Sequence, residues 1–279
     1  MKKSNLIIMI GIVSIRLLAA ENIKQQTERI KKMSTASLIK ELKEAGEDYE
    51  LYPTSPEMIK AIWEHHRKPY SDGSGYSIKI FGNVLDIGCG TCNFKKYVDE
   101  FNEPFVEKHS DGSRYRGDSV YINTYYVIEK SKILIDKLDP ETIVLGTDFQ
   151  QTTLIDKPVD TIFCNPPYSE YEDWTVKIIK ESVCKDIYLI IPQRWKNSEK
   201  INIALQKYIT TPYSRYRDTF DDLDKVTVLG SFDFMDAERS ARAKVDVIYI
   251  NKSDTRKESA FDTFFDEVFT MEDKKEKMN

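Results

Sequence analysis

A strand-like segment that ends in an acid and two closely spaced glycines constrains the fold of this chain more than any other feature. Residues 84–90 read Val-Leu-Asp-Ile-Gly-Cys-Gly, an apolar run closed by Gly88 and Gly90. Glycine lets a ligand approach the backbone where a β-carbon would block it, and Gly-x-Gly between a strand and a helix is typical of nucleotide-binding loops. The third glycine of the dinucleotide fingerprint is replaced by Asn93. The pattern predicts a nucleotide-type loop in an α/β fold and disfavours a dinucleotide.

The remainder of the chain alternates short apolar segments with segments of helical periodicity. Seven apolar segments of four to eight residues are rich in Val, Ile and aromatic residues, a composition typical of strands. They are Asn83 to Ile87, Tyr125 to Ile128, Thr142 to Leu145, Val159 to Phe163, Ile187 to Ile191, Lys225 to Phe232 and Val245 to Ile250. The first five alternate with helices, which predicts a parallel, doubly wound sheet, and the short polar connection between the last two predicts an antiparallel finish.

The composition excludes several classes of protein. With 279 residues, of which 41% are hydrophobic and 31% charged, the chain can bury a sizeable core, so it is not disordered. Four cysteines are too few for a disulfide framework, which favours a reducing compartment. The three histidines, His65, His66 and His109, argue against a His-rich metal centre and a Ser/His/Asp hydrolase. The net charge is -5, so a nucleic acid would have to bind a local basic face.

The N-terminal residues have a pattern of their own. Two lysines, an apolar run and a small-residue end resemble a secretory signal, but Arg16 interrupts the run, which is shorter than the ~20 residues of a membrane span. The alternative is a functional start near Met33, just before a Ser-Thr-Ala-Ser helix start, with residues 1–32 as an extension. We expect residues 33–252 to form the main domain, residues 253–279 to be an amphipathic tail, and the protein to be cytoplasmic without stable membrane association.

A second motif, Asn165-Pro166-Pro167-Tyr168, follows the fourth predicted strand. Two consecutive prolines hold the chain in an extended turn, so the Asn165 carboxamide and the Pro166 carbonyl can direct two acceptors to one point. Converging acceptors suit a planar amino group, because they favour the geometry in which its lone pair becomes available. Tyr168 adds a face on which a flipped-out base can stack. A strand-ending turn with a packed tyrosine is the alternative, which the Asp-x-Gly-x-Gly loop 75 residues upstream disfavours.

Together, these motifs resemble those of the class I S-adenosylmethionine-dependent methyltransferases, in the group that methylates planar amino groups through Asn-Pro-Pro-Tyr. The resemblance covers about residues 49–251, and its motif order is similar to that of DNA adenine-N6 methyltransferases. It implies a Rossmann-like, doubly wound, seven-stranded and mostly parallel sheet with an antiparallel last strand. It also implies S-adenosyl-L-methionine as the cofactor, no metal, and a catalytic site made of Asn165, Pro166, Pro167 and Tyr168.

The resemblance extends to residues that would hold the cofactor, with Thr54 and Pro56 at its methionine end. The full set is Thr54, Pro56, Asp86, Gly88, Gly90, Glu129, Asp148 and Phe149. Glu129 matches the acid that binds the ribose hydroxyls, although 41 residues separate it from Gly88 where about 20 are usual, which indicates an inserted loop at residues 100–120. Asp148 matches the acid that accepts from the adenine amino group, with Phe149 beside the ring, and the alternative role of Asp148 is a helix N-cap.

Residues 194–217 carry an excess of positive charge in an otherwise acidic chain. Six basic residues accompany one acid, Glu199. Four aromatic residues lie among them, namely Trp195, Tyr208, Tyr213 and Tyr216. This composition suits phosphate contacts and base stacking, and a solvated helix and loop is the alternative. The expected substrate-binding residues are Arg194, Trp195, Arg215 and Arg217.

The predicted activity is methyl transfer to an exocyclic amino group, with adenine N6 in DNA as the favoured acceptor. An rRNA base, a protein glutamine and a non-catalytic cofactor-binding module are the alternatives, and a separate partner is compatible with the lack of an evident specificity domain. Cys89 and Cys92 form a Cys-x-x-Cys pair, which suits a redox couple or half of a zinc site. No second pair exists, so a packing role is favoured.

Overall fold

The computed structural model describes residues 35–67, 80–108, 114–116, 119–208, 225–233 and 244–252. The chain divides into two units, Met1–Asp48 and Tyr49–Asn279. In the first unit, α1 (Thr35–Ala45) begins within the Ser-Thr-Ala-Ser segment that predicts a helix start. It ends at Gly46, whose φ is +71°, and the amides of Gly46 and Glu47 donate to carbonyls of the last helical turn. This is the usual way in which a glycine terminates a helix.

The second unit contains nine strands within the described ranges. They are β1 (Ile80–Ile87), β2 (Val106–Lys108), β3 (Arg114–Arg116), β4 (Tyr121–Ile128), β5 (Ile143–Gly146), β6 (Thr161–Cys164), β7 (Asp186–Pro192), β8 (Val226–Asp233) and β9 (Lys244–Asn251). Seven of them form one sheet in the order β5-β4-β1-β6-β7-β9-β8. The strands from β5 to β7 are parallel, and the last strand, β9, is antiparallel to both of its neighbours. This confirms the predicted doubly wound, mostly parallel sheet with an antiparallel last strand.

Helices cover both faces of this sheet. They are α2 (Pro56–Arg67), α3 (Asn93–Asn102), α4 (Lys132–Ile135), α5 (Tyr171–Glu181) and α6 (Glu199–Leu205). Successive side chains of β1 point to opposite faces: Leu85 packs in a cluster with α5 and α6, and Val84 packs in a cluster with α2 and α3. The result is the three-layer arrangement of doubly wound folds. In the part of the chain that the structure describes, no helix combines the length and apolar character needed to cross a membrane.

All seven predicted strands are present, but their boundaries differ by up to four residues. The largest difference is at β4, which begins at Tyr121 instead of Tyr125. The first residues of β4 are exposed or half-buried, so they lack the apolar run that marks a strand in the sequence. The expected insertion at residues 100–120 contains the end of α3 and an antiparallel hairpin of β2 and β3, whose short strands carry no distinct apolar pattern.

The carboxyl ends of the parallel strands meet at one edge of the sheet. From β1 the chain continues through β4 to β5 on one side, and then through β6 to β7 on the other. The strand order therefore reverses between β1 and β6, and open α/β sheets bind ligands in the crevice at such a reversal. The loop with Gly88 and Gly90 follows β1, and Asn165 follows β6. The two sequence motifs thus lie on opposite sides of this crevice.

Candidate functional site

Asn165 is held in one orientation by the segment that precedes α2. Its Nδ2 atom donates to the Tyr52 carbonyl at 3.1 Å and to Thr54 Oγ1 at 3.1 Å. Because a carbonyl only accepts hydrogen bonds, the carboxamide nitrogen must face Tyr52. The Oδ1 atom of Asn165 is buried and has no hydrogen-bond partner among the described residues. A buried acceptor without a partner costs about 1–3 kcal/mol, so this oxygen is a natural binding point for a donor on a ligand.

The remainder of the motif forms a tight connection from β6 to α5. Pro166 is buried and Pro167 is half-buried, and the Pro167 carbonyl accepts from the Glu170 amide at 3.0 Å. This bond turns the chain into α5, whose first residue is Tyr171. The prolines therefore fix the direction in which the motif leaves the sheet.

The ring of Tyr168 is packed parallel to the ring of Tyr52. Their centroids are 5.3 Å apart and their planes differ by 8°, and Tyr168 is 8% exposed. Burial raises the pKa of the Tyr168 hydroxyl well above its ordinary value. Tyr168 was predicted from the sequence as a site residue, whereas Tyr52 was not. The signal available for Tyr52 was its position two residues before Thr54, which the sequence resemblance places at the methionine end of the cofactor.

We call residues 49–55 the covering segment, because they contact loops on both sides of the crevice. The Cδ1 atom of Leu51 lies 2.7 Å from the point that a β-carbon on Gly90 would occupy. The Thr54 carbonyl accepts from Asn93 Nδ2 at 2.8 Å, and Thr54 also contacts the second motif through its hydroxyl. Thr54 therefore connects the two motifs, and Pro56, also predicted to lie at the cofactor, is the first residue of α2.

The loop after β1 has the backbone conformation that its glycines predict. Gly88 and Gly90 have φ values of +70° and +55°, which residues with a β-carbon adopt at a cost. The Gly88 amide donates to the Ile128 carbonyl at 2.8 Å. A β-carbon on Gly88 would lie 3.4 Å from the ring of Trp174. The loop therefore passes close to α5, and a larger residue would fill the crevice at this point.

Glu129, the acid after β4, holds this loop in place. One carboxylate oxygen accepts from the Gly90 amide and the other from the Ser131 amide, both at 2.9 Å. Burial raises the pKa of the Glu129 carboxyl, and these backbone hydrogen bonds counteract part of the rise. A carboxylate has about four lone-pair sites, so it keeps acceptor capacity for hydroxyl groups. Because β4 pairs directly with β1, the long insertion before it does not displace Glu129 from the crevice.

Asp86 lies on β1, two residues before the loop, and is completely buried. Its Oδ2 atom accepts from the Tyr125 hydroxyl, and its Oδ1 atom has no partner in the part of the chain that is described. Burial raises the pKa of Asp86 to about 7; the hydrogen bond from Tyr125 lowers it, and the charge of Glu129 raises it further. Like Asn165, Asp86 therefore presents a buried acceptor oxygen that a ligand could satisfy.

The two cysteines of the loop are reduced and close together. Cys92 immediately precedes α3 with a φ of +54°, which is uncommon for a residue with a side chain. The neighbouring thiol of Cys92 and burial raise the pKa of Cys89 well above its ordinary value. Among the residues that the structure describes, no group of His, Cys, Asp and Glu could hold a metal ion.

Asp148 and Phe149 follow β5 at the same edge of the sheet. Asp148 Oδ1 accepts from the Gln150 amide at 2.9 Å, so the carboxylate caps the turn that follows. This turn does not continue into an α-helix. The alternative that Asp148 caps the N-terminus of a helix is therefore wrong. Phe149 is buried, and its ring centroid lies 4.5 Å from that of Trp174. An aromatic pair thus borders the crevice beside the Gly88 loop.

The residues after β7 differ from the expected substrate-binding surface. The guanidinium of Arg194 donates to the Tyr168 carbonyl at 2.7 Å, so it supports the second motif directly. Trp195 is 9% exposed and donates from Nε1 to Asp246 at 3.0 Å. Tyr208 is 1% exposed. Both rings pack in the hydrophobic cluster with α5 and α6. Neither ring therefore presents an open face on which a base could stack.

Two of the described positive charges of this segment are paired with acids. Lys196 lies 2.8 Å from the buried carboxylate of Asp246, and Lys200 lies 2.9 Å from an acid on α5. Ion pairs of this kind reduce the charge available for phosphate groups. Arg215 and Arg217, the other predicted substrate-binding residues, lie outside the described residues, as do residues 1–32 and 253–279.

Asp246 is a structural residue that the sequence analysis missed. It lies on β9 and is 0% exposed. Its carboxylate accepts from Gln193 Nε2 at 3.0 Å, from Trp195 Nε1 at 3.0 Å and from Ser231 Oγ at 2.6 Å. Burial raises the pKa of Asp246, but hydrogen bonds from Lys196 and these partners outweigh burial and hold it below its ordinary value. The available signal was an acid inside an otherwise apolar strand.

Comparisons with known proteins give similarity only at the level of solved structures. No family model matches the chain, and no curated protein matches it significantly. A dimethyladenosine transferase from Plasmodium falciparum is 16% identical over 77% of this chain and 67% of that chain, with a TM-score of 0.48. The 23S rRNA methyltransferase ErmE is 11% identical over 73% and 70%, with a TM-score of 0.43.

A third similar structure is the Mtq2-Trm112 complex of E. cuniculi, which methylates the translation termination factor eRF1. It is 11% identical over 72% of this chain and 98% of that chain, with a TM-score of 0.42. Similarity at this level does not transfer an activity, because unrelated functions share one fold. The function of this chain therefore depends on the residues of its own site.

Proposed function

We propose that this protein is an S-adenosyl-L-methionine-dependent methyltransferase that methylates an exocyclic amino group. The observation that carries the proposal is the Asn165 carboxamide. Its nitrogen is fixed by two acceptors on the covering segment, so its oxygen is directed as a buried, unpartnered acceptor. A side chain that served only to end a strand would not need its amide oriented in this way.

The residues at the crevice fit the cofactor that the sequence resemblance implies. Gly88 and Gly90 leave the backbone open, and Glu129 fixes the loop while retaining acceptor capacity for ribose hydroxyls. Asp86 Oδ1 is a buried acceptor suited to an ammonium group. Asp148, with Phe149 beside it, would accept from the adenine amino group. Thr54 would lie beside the methionine end.

The chemistry of the site follows from the placement of these groups. Bound S-adenosyl-L-methionine supplies an electrophilic methyl group. Asn165 Oδ1 accepts a hydrogen bond from the amino group of the substrate and favours the geometry in which the nitrogen lone pair is available. Tyr168 and the two prolines hold this acceptor at the crevice, so much of the rate enhancement comes from orientation. The resemblance assigns the catalytic role to Asn165, Pro166, Pro167 and Tyr168.

We propose adenine N6 in DNA as the first substrate to test. An rRNA base and a protein glutamine are the alternatives within the same chemistry. The protein glutamine gains weight from two observations: Trp195 and Tyr208 are buried, and Lys196 and Lys200 are paired with acids. Nucleic-acid binding would therefore depend on residues such as Arg215 and Arg217. The proposed location is the cytoplasm, and a separate partner that supplies specificity is part of the proposal.

The test is methyl transfer by the purified full-length chain. DNA, RNA and a glutamine-bearing protein are offered in parallel, and the product is identified by mass. We expect Asn165→Ala to lower turnover at least 100-fold, or ~3 kcal/mol, while the cofactor affinity measured by calorimetry stays the same. A parent protein that does not bind S-adenosyl-L-methionine, or full activity in the Asn165→Ala variant, would contradict the proposal.

A further inference from the structure

We infer that Tyr52 and Tyr168 are the two walls of a slot that selects a flat nucleobase as the methyl acceptor. This inference rests on the proposed function, because Asn165 Oδ1 would lie at the closed end of the slot. It adds a residue of the covering segment to the substrate site. The slot would also discriminate between two methyl acceptors, the planar ring of a base and the flexible side chain of glutamine.

The first observation is the stacking geometry of the two rings. Their planes differ by only 8° and their centroids are 5.3 Å apart, so the rings already have the parallel arrangement that would enclose a third ring. A base between them needs the two planes about 7 Å apart, which is two contact distances of ~3.5 Å. The rings as they stand therefore represent a closed slot.

The second observation is which wall can move. Tyr168 is 8% exposed and belongs to the hydrophobic cluster beneath α2 and α3, so one of its faces is committed to the core. Tyr52 is only partly buried and lies in the covering segment, which has no regular secondary structure. The Tyr52 ring now covers one face of Tyr168, and a base that stacks on this face has to displace that ring. The slot therefore opens by displacement of the Tyr52 ring.

The third observation is that the backbone at Tyr52 is anchored to the catalytic residue. The Tyr52 carbonyl accepts from Asn165 Nδ2, and the next residue but one, Thr54, binds both Asn165 and Asn93. A rotation of the Tyr52 side chain leaves these bonds intact. One residue thus orients the acceptor oxygen through its carbonyl and forms a wall of the slot through its ring. The base would enter with its amino group directed at Asn165 Oδ1.

Stacking between aromatic rings discriminates by shape. Every base has a π-face, whereas a glutamine amide has no ring to place between two tyrosines. The loss of one stacking partner typically weakens capture of a base about tenfold or more. We therefore expect a nucleobase substrate, presented in single-stranded or flipped-out form, and no comparable use of a glutamine side chain.

The experiment measures base capture separately from cofactor binding. The full-length chain is titrated into single-stranded DNA and RNA oligonucleotides that carry 2-aminopurine, whose fluorescence is quenched when it stacks. We expect quenching by the parent protein and by Tyr52→Phe, and at least tenfold weaker quenching by Tyr52→Leu. The matched control is Tyr121→Leu, which alters a half-buried tyrosine at the amino end of β4, at the opposite edge of the sheet from the crevice. The DNA and RNA arms identify the source of the base.

Two further measurements keep the outcomes distinct. Calorimetry with S-adenosyl-L-methionine tests the proposed function and the folding of each variant, and steady-state kinetics on the accepted substrate gives KM and kcat. Intact cofactor binding with a KM raised at least tenfold in Tyr52→Leu supports the slot. Quenching or KM that is the same in Tyr52→Leu as in the parent overturns it. Preferred methylation of a glutamine-bearing protein also overturns it, and the proposed methyltransferase activity then still stands.

Discussion

At the scale of single residues, the two most informative groups are buried oxygens without a partner. Asn165 Oδ1 and Asp86 Oδ1 lie on opposite sides of the crevice between β6 and β1. Native proteins satisfy most buried polar groups, so an exception at a predicted functional position indicates a ligand. The sequence identified both residues by motif, but only the structure shows which atom of each is available.

Asn165→Asp separates the acceptor role of this residue from its anchoring role. A carboxylate keeps an oxygen where Oδ1 lies, but it loses the donor that binds the Tyr52 carbonyl at 3.1 Å. Two acceptors would then face each other, whereas the Thr54 hydroxyl can rotate to donate. We expect turnover about tenfold below the parent and well above Asn165→Ala. Turnover is measured by single-turnover methyl transfer, and equal rates for the two variants would exclude the acceptor role.

Asp86 makes the stability of the protein depend on pH. Its pKa is about 7 in the folded protein and 3.8 as an ordinary aspartate, so the folded state holds an extra proton between these values. The stabilisation that comes from this extra proton is fully present below about pH 4 and is lost as the pH rises through 7. Asp86→Asn removes the titration and keeps an acceptor for Tyr125. Between pH 4 and pH 8, we expect the free energy of unfolding of the parent to fall by roughly 2–4 kcal/mol more than that of the variant.

Urea unfolding at several pH values measures this difference. The comparison uses the change in the free energy of unfolding between pH 4 and pH 8 for each protein, so a constant effect of the substitution cancels. Parallel pH profiles for the parent and Asp86→Asn would show that Asp86 is not the titrating group.

At the scale of elements, the sequence predicted strands well and surface contacts poorly. All seven strands of the sheet are short runs rich in Val, Ile and aromatic residues, so all seven were recognisable, including the antiparallel β8 and β9. The hairpin of β2 and β3 has only three residues in each strand and carries no such pattern. Trp195 illustrates the other limit, because a tryptophan among basic residues reads as a stacking platform whether it faces the core or the solvent. Only packing against Asp246 distinguishes the two.

Arg194 is expected to position the second motif and not to contact phosphate. Its guanidinium donates to the Tyr168 carbonyl at 2.7 Å, and it lies 4.9 Å from the Tyr171 ring at the start of α5. We expect Arg194→Ala to lower kcat about tenfold through loss of a charge-assisted hydrogen bond. The salt dependence of nucleic-acid binding should stay the same. The kcat and the salt dependence are both measured on the accepted substrate. A weaker dependence of binding on salt concentration in the variant would indicate that Arg194 contacts phosphate.

At the scale of the whole molecule, charge limits how a nucleic acid can bind. The net charge is -5, and the three basic residues between positions 194 and 200 are engaged by protein groups: Arg194 by a carbonyl, and Lys196 and Lys200 by acids. The carboxyl edge of the sheet nevertheless presents the proposed catalytic motif and the proposed aromatic slot. A nucleic acid that delivers a base to this edge needs a separate positive surface, and Arg215 and Arg217 are the predicted residues for it.

Replacement of Arg215 and Arg217 by alanine tests this surface as a whole. Each phosphate contact contributes ~0.7–0.9 to the magnitude of the slope of log affinity against log salt concentration. The slope of the double variant should therefore be smaller in magnitude than that of the parent by between about one and two. Binding should weaken about equally for all sequences, because phosphate contacts carry no base information. Fluorescence anisotropy at several salt concentrations measures both effects. Lys200→Ala is the matched control, because Lys200 is exposed and already pairs with Asp173 at 2.9 Å. If the parent protein does not bind nucleic acid even at low salt, the charge at residues 194–217 serves another purpose, and a protein glutamine becomes the substrate to test first.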